Sequence, residues 1–216
     1  MEIFLDSVDL TEIKKYHMYN VVDGITTNPS LMANSKMDFY DTINSICKLV
    51  KGDVSVEVIS NDFEEMVKEG NRILEVAPNI VVKLPMTWDG LKACKYFRDG
   101  GNKVNMTLCF SANQALLAAK NGATYISPFI GRLEDVGEDG MQLIADIRNI
   151  YNNYDFKTKI LAASIRTTEH VFEAALCGAD VVTIPAKILS QLVEHDLTSK
   201  GLEKFNQDWE KSGMKI

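Results

Sequence analysis

Short apolar runs alternate with longer amphipathic stretches from one end of this chain to the other, and that alternation limits the possible folds more than any other feature. A strand with one wet face alternates apolar and polar residues, whereas a strand covered on both faces reads as a nearly continuous apolar run. The runs here are mostly of the second kind: IFLD (3–6), VVDGITT (21–27), DVSVEVI (53–59), NIVVKLP (79–85), KVNMTL (103–108), TYISPF (124–129), KILAAS (159–164) and DVVTI (180–184). A helical pattern follows each. Residues 63–76 illustrate it, with Phe63, Met66, Val67, Ile73, Leu74 and Val76 facing inward, Glu64, Glu65, Lys68 and Arg72 facing water, and Pro78 as the stop.

About eight such units, unbroken by linker or repeat, predict a parallel sheet wrapped by helices. An open doubly wound sheet is the rival, but eight units fit a closed (β/α)8 TIM barrel of the α/β class better. At 216 residues the chain is near the small end for one barrel and too short for two, so residues 1–216 are read as a single domain. Residues 198–210 (TSKGLEKFNQDWE) add a C-terminal helix with Leu202, Phe205 and Trp209 at i, i+3 and i+7, an apolar stripe that needs a surface to dock on.

Composition narrows the ligand. With 46% hydrophobic and 25% charged residues the chain can bury a sizeable core, and a net charge of -7 argues against nucleic acid or an anionic membrane as partners. An anionic ligand must be held locally. Cys47, Cys94, Cys109 and Cys177 lack metal-binding spacing and are expected to be buried free thiols, with no metal site. No basic leader or run of about 18 apolar residues occurs, so a cytoplasmic location is expected.

Polar residues inside barrel strands need a reason. Lys83 ends the apolar run Ile80-Val81-Val82, at the strand end where barrel enzymes place their chemistry. Burial favours a neutral amine, which attacks carbonyls. The local sequence fits equally a lysine whose stem is buried and whose ammonium reaches solvent. Other strand ends add weight: Asp6 after the first run, Asn28 after the second, Glu57 in line with Ser55, Asn105 with Thr107, and Ser127 with Phe129. Each alone has an ordinary structural use: Asp6 as a helix cap, Asn28 as a turn residue before Pro29, Thr107 as a strand threonine. Arg132, Ser164 and Arg166 follow later runs and resemble a phosphate site, with pairing to Glu134 or Asp135 as the plain alternative for the arginines. No G-x-G-x-x-G or Walker loop is present, which leaves a nucleotide cofactor without support.

The segments GITTNPSL (24–31), VVKLPMT (81–87), TLCFSANQALLAA (107–119), YISPFIGRL (125–133) and ILAASIRT (160–167) closely resemble the transaldolase family, in its short single-barrel branch that also contains fructose-6-phosphate aldolase. The likeness covers nearly the whole chain; Cys109 and Glu134 are small departures from it. It implies a cofactor-free class I mechanism in which Lys83 forms a Schiff base with a ketose phosphate (sedoheptulose 7-phosphate or fructose 6-phosphate). Asp6 takes the C4 hydroxyl proton, and the dihydroxyacetone unit passes to an aldose phosphate (glyceraldehyde 3-phosphate or erythrose 4-phosphate), a step of the non-oxidative pentose phosphate pathway. The same likeness assigns Glu57 and Thr107 to a proton-handling water, Asn28 and Asn105 to substrate hydroxyls, and Arg132, Ser164 and Arg166 to phosphate. It also implies a homo-oligomer, a pentamer or decamer, in which residues 198–210 pack between subunits. A fructose-6-phosphate aldolase is the alternative, and a non-catalytic sugar-phosphate-binding barrel a further one. Glu57 and Phe129 favour transfer, since the aldolases typically carry Gln and Tyr there.

Overall fold

Helix starts in this chain fall where a short polar side chain can accept from the first unpaired amides. Asp9, Asn28, Asp38, Asp62, Thr87, Ser111, Asp139 and Thr167 each do so, and divide the sequence into strand and helix segments. The structure is a computed structural model that describes residues 1–215. Among these, the strands in chain order are β1 (Glu2–Asp6), β2 (Gly24–Thr26), β3 (Val54–Glu57), β4 (Ile80–Pro85), β5 (Val104–Cys109), β6 (Tyr125–Pro128), β7 (Lys159–Ala162) and β8 (Val181–Ile184). All pair in parallel, each with its sequence neighbours, and β8 returns to β1 to close the barrel. The fold is a (β/α)8 TIM barrel.

Period-two alternation divides each strand between two cores. Phe4, Val81, Tyr125, Leu161, Ala163 and Val181 pack inside the barrel, while their neighbours Leu5, Val82, Ile126, Ala162 and Val182 pack outward against the helices. Lys83 and Thr183 continue the inward series of β4 and β8.

Three of the strands that fall short of their apolar runs do so for identifiable reasons. In 21–27 only Gly24–Thr26 lies in the ladder, because Val21 is exposed and the Asp23 carboxylate takes the Ile3 amide. In 53–59 the ladder stops at Glu57, because Glu69 reaches back to accept from the amides of Ile59 and Ser60. In 159–164 it stops at Ala162, and Ser164 turns away with φ +59°. Of the four thiols, Cys94 and Cys109 are buried, but Cys47, on the helix Phe39–Leu49, and Cys177, at the C-cap of the helix Thr168–Leu176, are only half-buried. Burial pushes the Cys94 and Cys109 thiols up to about 12.

The C-terminal helix runs Asp196–Ser212, longer than the 198–210 expected, capped by the His195 side chain and by Gly213 with φ +66°. It buries none of its residues, and Leu202, Phe205 and Trp209 are exposed.

Candidate active site

The register of the closed sheet brings the polar strand ends together. Glu57 pairs across with Lys83, Lys83 with Asn105, and Pro85 with Thr107, so side chains from β3, β4 and β5 stand side by side at the C-terminal mouth. A cavity of about 150 Å³ opens there, and Asp6, Asn28, Lys83, Ser127, Phe129, Arg132 and Ser164 line it.

Lys83 is held from two sides. Its Nζ lies 3.0 Å from Glu57 Oε2 and donates over 3.0 Å to the Thr27 carbonyl. The side chains are 6% and 13% exposed. Its apolar inward neighbour Val81 closes the barrel beneath it. A charge pair this far from water is kept only when the geometry compensates the desolvation, and removing one partner leaves the other stranded.

Asp6 is not the cap of the following helix; Asp9 performs that task. The Asp6 carboxylate instead accepts at 2.7 Å from the Thr26 hydroxyl, which lies 2.6 Å from that of Thr183. Burial raises the Asp6 carboxyl above the usual carboxylate range, against the lowering effects of the Thr26 hydrogen bond and the nearby Lys83 charge. A carboxyl placed so is suited to exchanging a proton with a hydroxyl held in the cavity.

The remaining candidates occupy distinct places. Asn105 is fully buried, donating to Ser55 Oγ at 3.2 Å and accepting from Ser127 at 2.7 Å. Thr107 is also fully buried, and its hydroxyl has no partner among the described residues. A register shift between Met106 and Cys109, with Leu108 at φ +57°, bends β5 beside it. Asn28 both caps the helix Pro29–Met32, accepting from the Leu31 amide at 2.9 Å, and faces the cavity. Phe129 packs edge-on against Phe110, with the Arg132 guanidinium 5.2 Å from its ring centre.

The two arginines differ. Arg132 lines the cavity and makes no ion pair among the described residues. Arg166 lies off the cavity wall, its guanidinium paired with Asp135, one contact at 2.6 Å. The plain alternative for an arginine near Glu134 and Asp135 is thus the arrangement Arg166 adopts. Gly131 sits under this corner because a Cβ there would meet the Ser164 carbonyl oxygen at 2.5 Å and Arg166 Nε at 2.6 Å. Only a hydrogen fits.

Thr26 and Thr183 were not among the candidates read from the sequence. Threonine is an ordinary strand residue, and nothing in DVVTI marks its hydroxyl as reaching across the barrel mouth.

The family described as transaldolase/fructose-6-phosphate aldolase matches the chain over residues 3–216. The chain belongs to this family. A protein named probable transaldolase from Brucella ovis is 59% identical over 216 residues, covering all of both chains. Another of that name from Cereibacter sphaeroides is 55% identical, covering all of this chain and 99% of its own. The structure is also similar to a crystal structure of inosine 5′-monophosphate dehydrogenase from Legionella pneumophila, with TM-score 0.62, 15% identity and coverage of 87% of this chain and 58% of that one. At that identity the likeness concerns the barrel alone.

Proposed function

We propose that this enzyme is a transaldolase whose Lys83 amine attacks the carbonyl of a ketose phosphate. The observation that carries the reading is a buried lysine, inward-facing at the C-terminal end of β4, between a carboxylate and a carbonyl oxygen. Glu57, 3.0 Å away, is close enough to take a proton from Nζ and free the amine. Loss of water from the carbinolamine then leaves the imine, with Thr107 and Glu57 handling the water and its protons. Asp6 takes the C4 hydroxyl proton, the C3–C4 bond breaks, an aldose phosphate departs, and the electron pair passes to the iminium to give an enamine. Attack of that enamine on a second aldose phosphate reverses the steps.

Asn28, which lines the cavity, and Asn105, which stands behind the cavity-lining Ser127 that fixes its amide, are the residues assigned to hydroxyls of the three-carbon unit. A cavity of about 150 Å³ suits so small a fragment. Arg132 and Ser164 supply phosphate donors at its edge, and Arg166 joins them by exchanging Asp135 for the dianion. The expected substrates are sedoheptulose 7-phosphate or fructose 6-phosphate as donors and glyceraldehyde 3-phosphate or erythrose 4-phosphate as acceptors, in the cytoplasm. The exposed Leu202, Phe205 and Trp209 stripe packs between copies of the chain in a pentamer or decamer. Light scattering on the full chain and on a Phe205→Glu variant checks the assembly; an unchanged mass would remove the helix from the interface.

Transfer is preferred over simple cleavage because Phe129 has no hydroxyl with which to help protonate the enamine. Fructose 6-phosphate alone should yield little dihydroxyacetone, and turnover should rise sharply once erythrose 4-phosphate is added. Equal rates with and without the acceptor would make the enzyme an aldolase. Phe129→Tyr should raise cleavage relative to transfer.

A further inference from the structure

We infer that Thr183 is a positioning residue for the transfer reaction: its hydroxyl donates to Thr26, commits the Thr26 proton to Asp6 Oδ1, and leaves Oδ2 as the oxygen that exchanges protons with substrate. This rests on the reading of Asp6 as the general acid/base.

Counting protons gives the direction of the chain. Thr26 Oγ1 lies 2.7 Å from Asp6 Oδ1 and 2.6 Å from Thr183 Oγ1, but a threonine hydroxyl has one proton to give. An ionised Asp6 can only accept, so the Thr26 proton points at Oδ1 and Thr183 must be the donor in the second contact. Thr183 has no other side-chain partner among the described residues, so nothing competes for its proton. Asp6 Oδ2 has no protein partner among them either, and is the oxygen left for a C4 hydroxyl.

The placement is costly unless it is used. Thr183 is nearly fully buried and faces inward, above Val181 and between the outward Val182 and Ile184. Valine would fill the same volume, and burying a hydroxyl costs free energy unless it is paired. Without the Thr183 donor, the Thr26 hydroxyl is less polarised and its hydrogen bond to the Asp6 carboxylate weakens. That favours the neutral carboxyl, on top of the burial that already raises it. The other charges near Asp6 are Lys83 from β4, with Glu57 of β3 bound to it, and Arg132, which lines the same cavity; β2 and β8 present only hydroxyls.

The test is the pH profile of carbon–carbon cleavage in single turnovers of fructose 6-phosphate by the full-length enzyme. Thr26→Val removes a charge-assisted bond outright and should move the acid limb up by about 1–2 pH units. Thr183→Val, which removes only the support of its neighbour, should move it the same way by about 0.2–0.6 unit. Thr183→Ser should restore the wild-type midpoint, and borohydride trapping at Lys83 should persist in all three. Should Thr183→Val fail to fold, Thr183→Ala against Thr183→Ser makes the same comparison. An acid limb at the wild-type midpoint in the valine or alanine variant overturns the inference, whatever happens to kcat. Asp6→Asn separates the two ideas. Loss of the limb there, with no shift from Thr183→Val, sinks the inference and leaves Asp6 in place. Persistence of the limb in Asp6→Asn removes Asp6 from the mechanism and the inference with it.

Discussion

At the N-terminal mouth of the barrel Lys103 meets Asp53 at 2.8 Å and Lys159 meets Glu2 at 2.6 Å; at the C-terminal mouth Lys83 meets Glu57 at 3.0 Å. The pairs use the same chemical groups at similar distances. What differs is water: the Lys103 and Lys159 side chains are 53% and 41% exposed, and that of Lys83 6%. The N-terminal mouth even has the larger cavity, about 340 Å³ against 150 Å³. Tyr125 closes its floor by donating to Asp53 at 2.7 Å, and burial followed by the Asp53 contact raises its phenol well above the ordinary value. One mouth is a solvated clasp. The other holds an amine beside a carboxylate above an apolar plug, almost out of reach of bulk water.

The largest effect expected at either mouth is that of Lys83→Ala, which should abolish both turnover and borohydride trapping, whereas Lys103→Ala and Lys159→Ala should stay within about threefold of wild type, as surface changes usually do. Mass spectrometry of the trapped enzyme reads this directly. A modified peptide centred on any lysine but Lys83 would erase the distinction between the mouths.

Asp6→Asn should slow cleavage by about 10²–10⁴-fold while still allowing imine trapping. The same variant gives a stability signature with a definite sign. Because the folded-state carboxyl is raised, wild-type stability falls as pH rises from the ordinary carboxylate value of 3.8 through the folded one, and the deficit is full above that. Asn carries no such deficit. Urea melts should therefore show Asp6→Asn more stable than wild type at neutral pH, with the gap closing in acid.

Arg132→Ala should weaken phosphorylated substrates by about 10- to 150-fold, the worth of a charge-assisted contact. Arg166→Ala should do so by less, since Arg166 must first leave Asp135. Kinetics with dihydroxyacetone and unphosphorylated acceptors supply the control; equal losses there would make both arginines structural. The smallest effects belong to the N-terminal mouth, where Lys103→Met should cost under about 1 kcal/mol in urea unfolding. Asp53→Ala, which also strips the Tyr125 hydroxyl of its acceptor, should cost about 1–3 kcal/mol. Neither should alter turnover, and a change in rate would mean that the two mouths communicate.

Much of this was legible in the chain by itself. Continuous apolar runs encode strands buried on both faces because only such strands avoid wet positions, and Asp, Asn, Ser and Thr at the right offsets start the helices because they satisfy amides locally. Both signals are short-range, so eight strands and their helices could be read without knowing what any of them touched. Lys83 stood out for the same reason: a cation after Ile80-Val81-Val82 is anomalous in its own segment.

Tertiary structure decided which polar groups share protons and charge. Thr183 and Thr26 lie 157 residues apart and meet only because β8 closes onto β1 and β1 pairs with β2. Arg166 and Asp135 are 31 apart, and their pairing depends on a turn at Ser164 against a glycine that leaves no room for a Cβ. The 159–164 run could not show that turn, because φ is not written in hydrophobicity. Hydrogen bonds and ion pairs act over about 3 Å, so their partners are set by how the barrel closes.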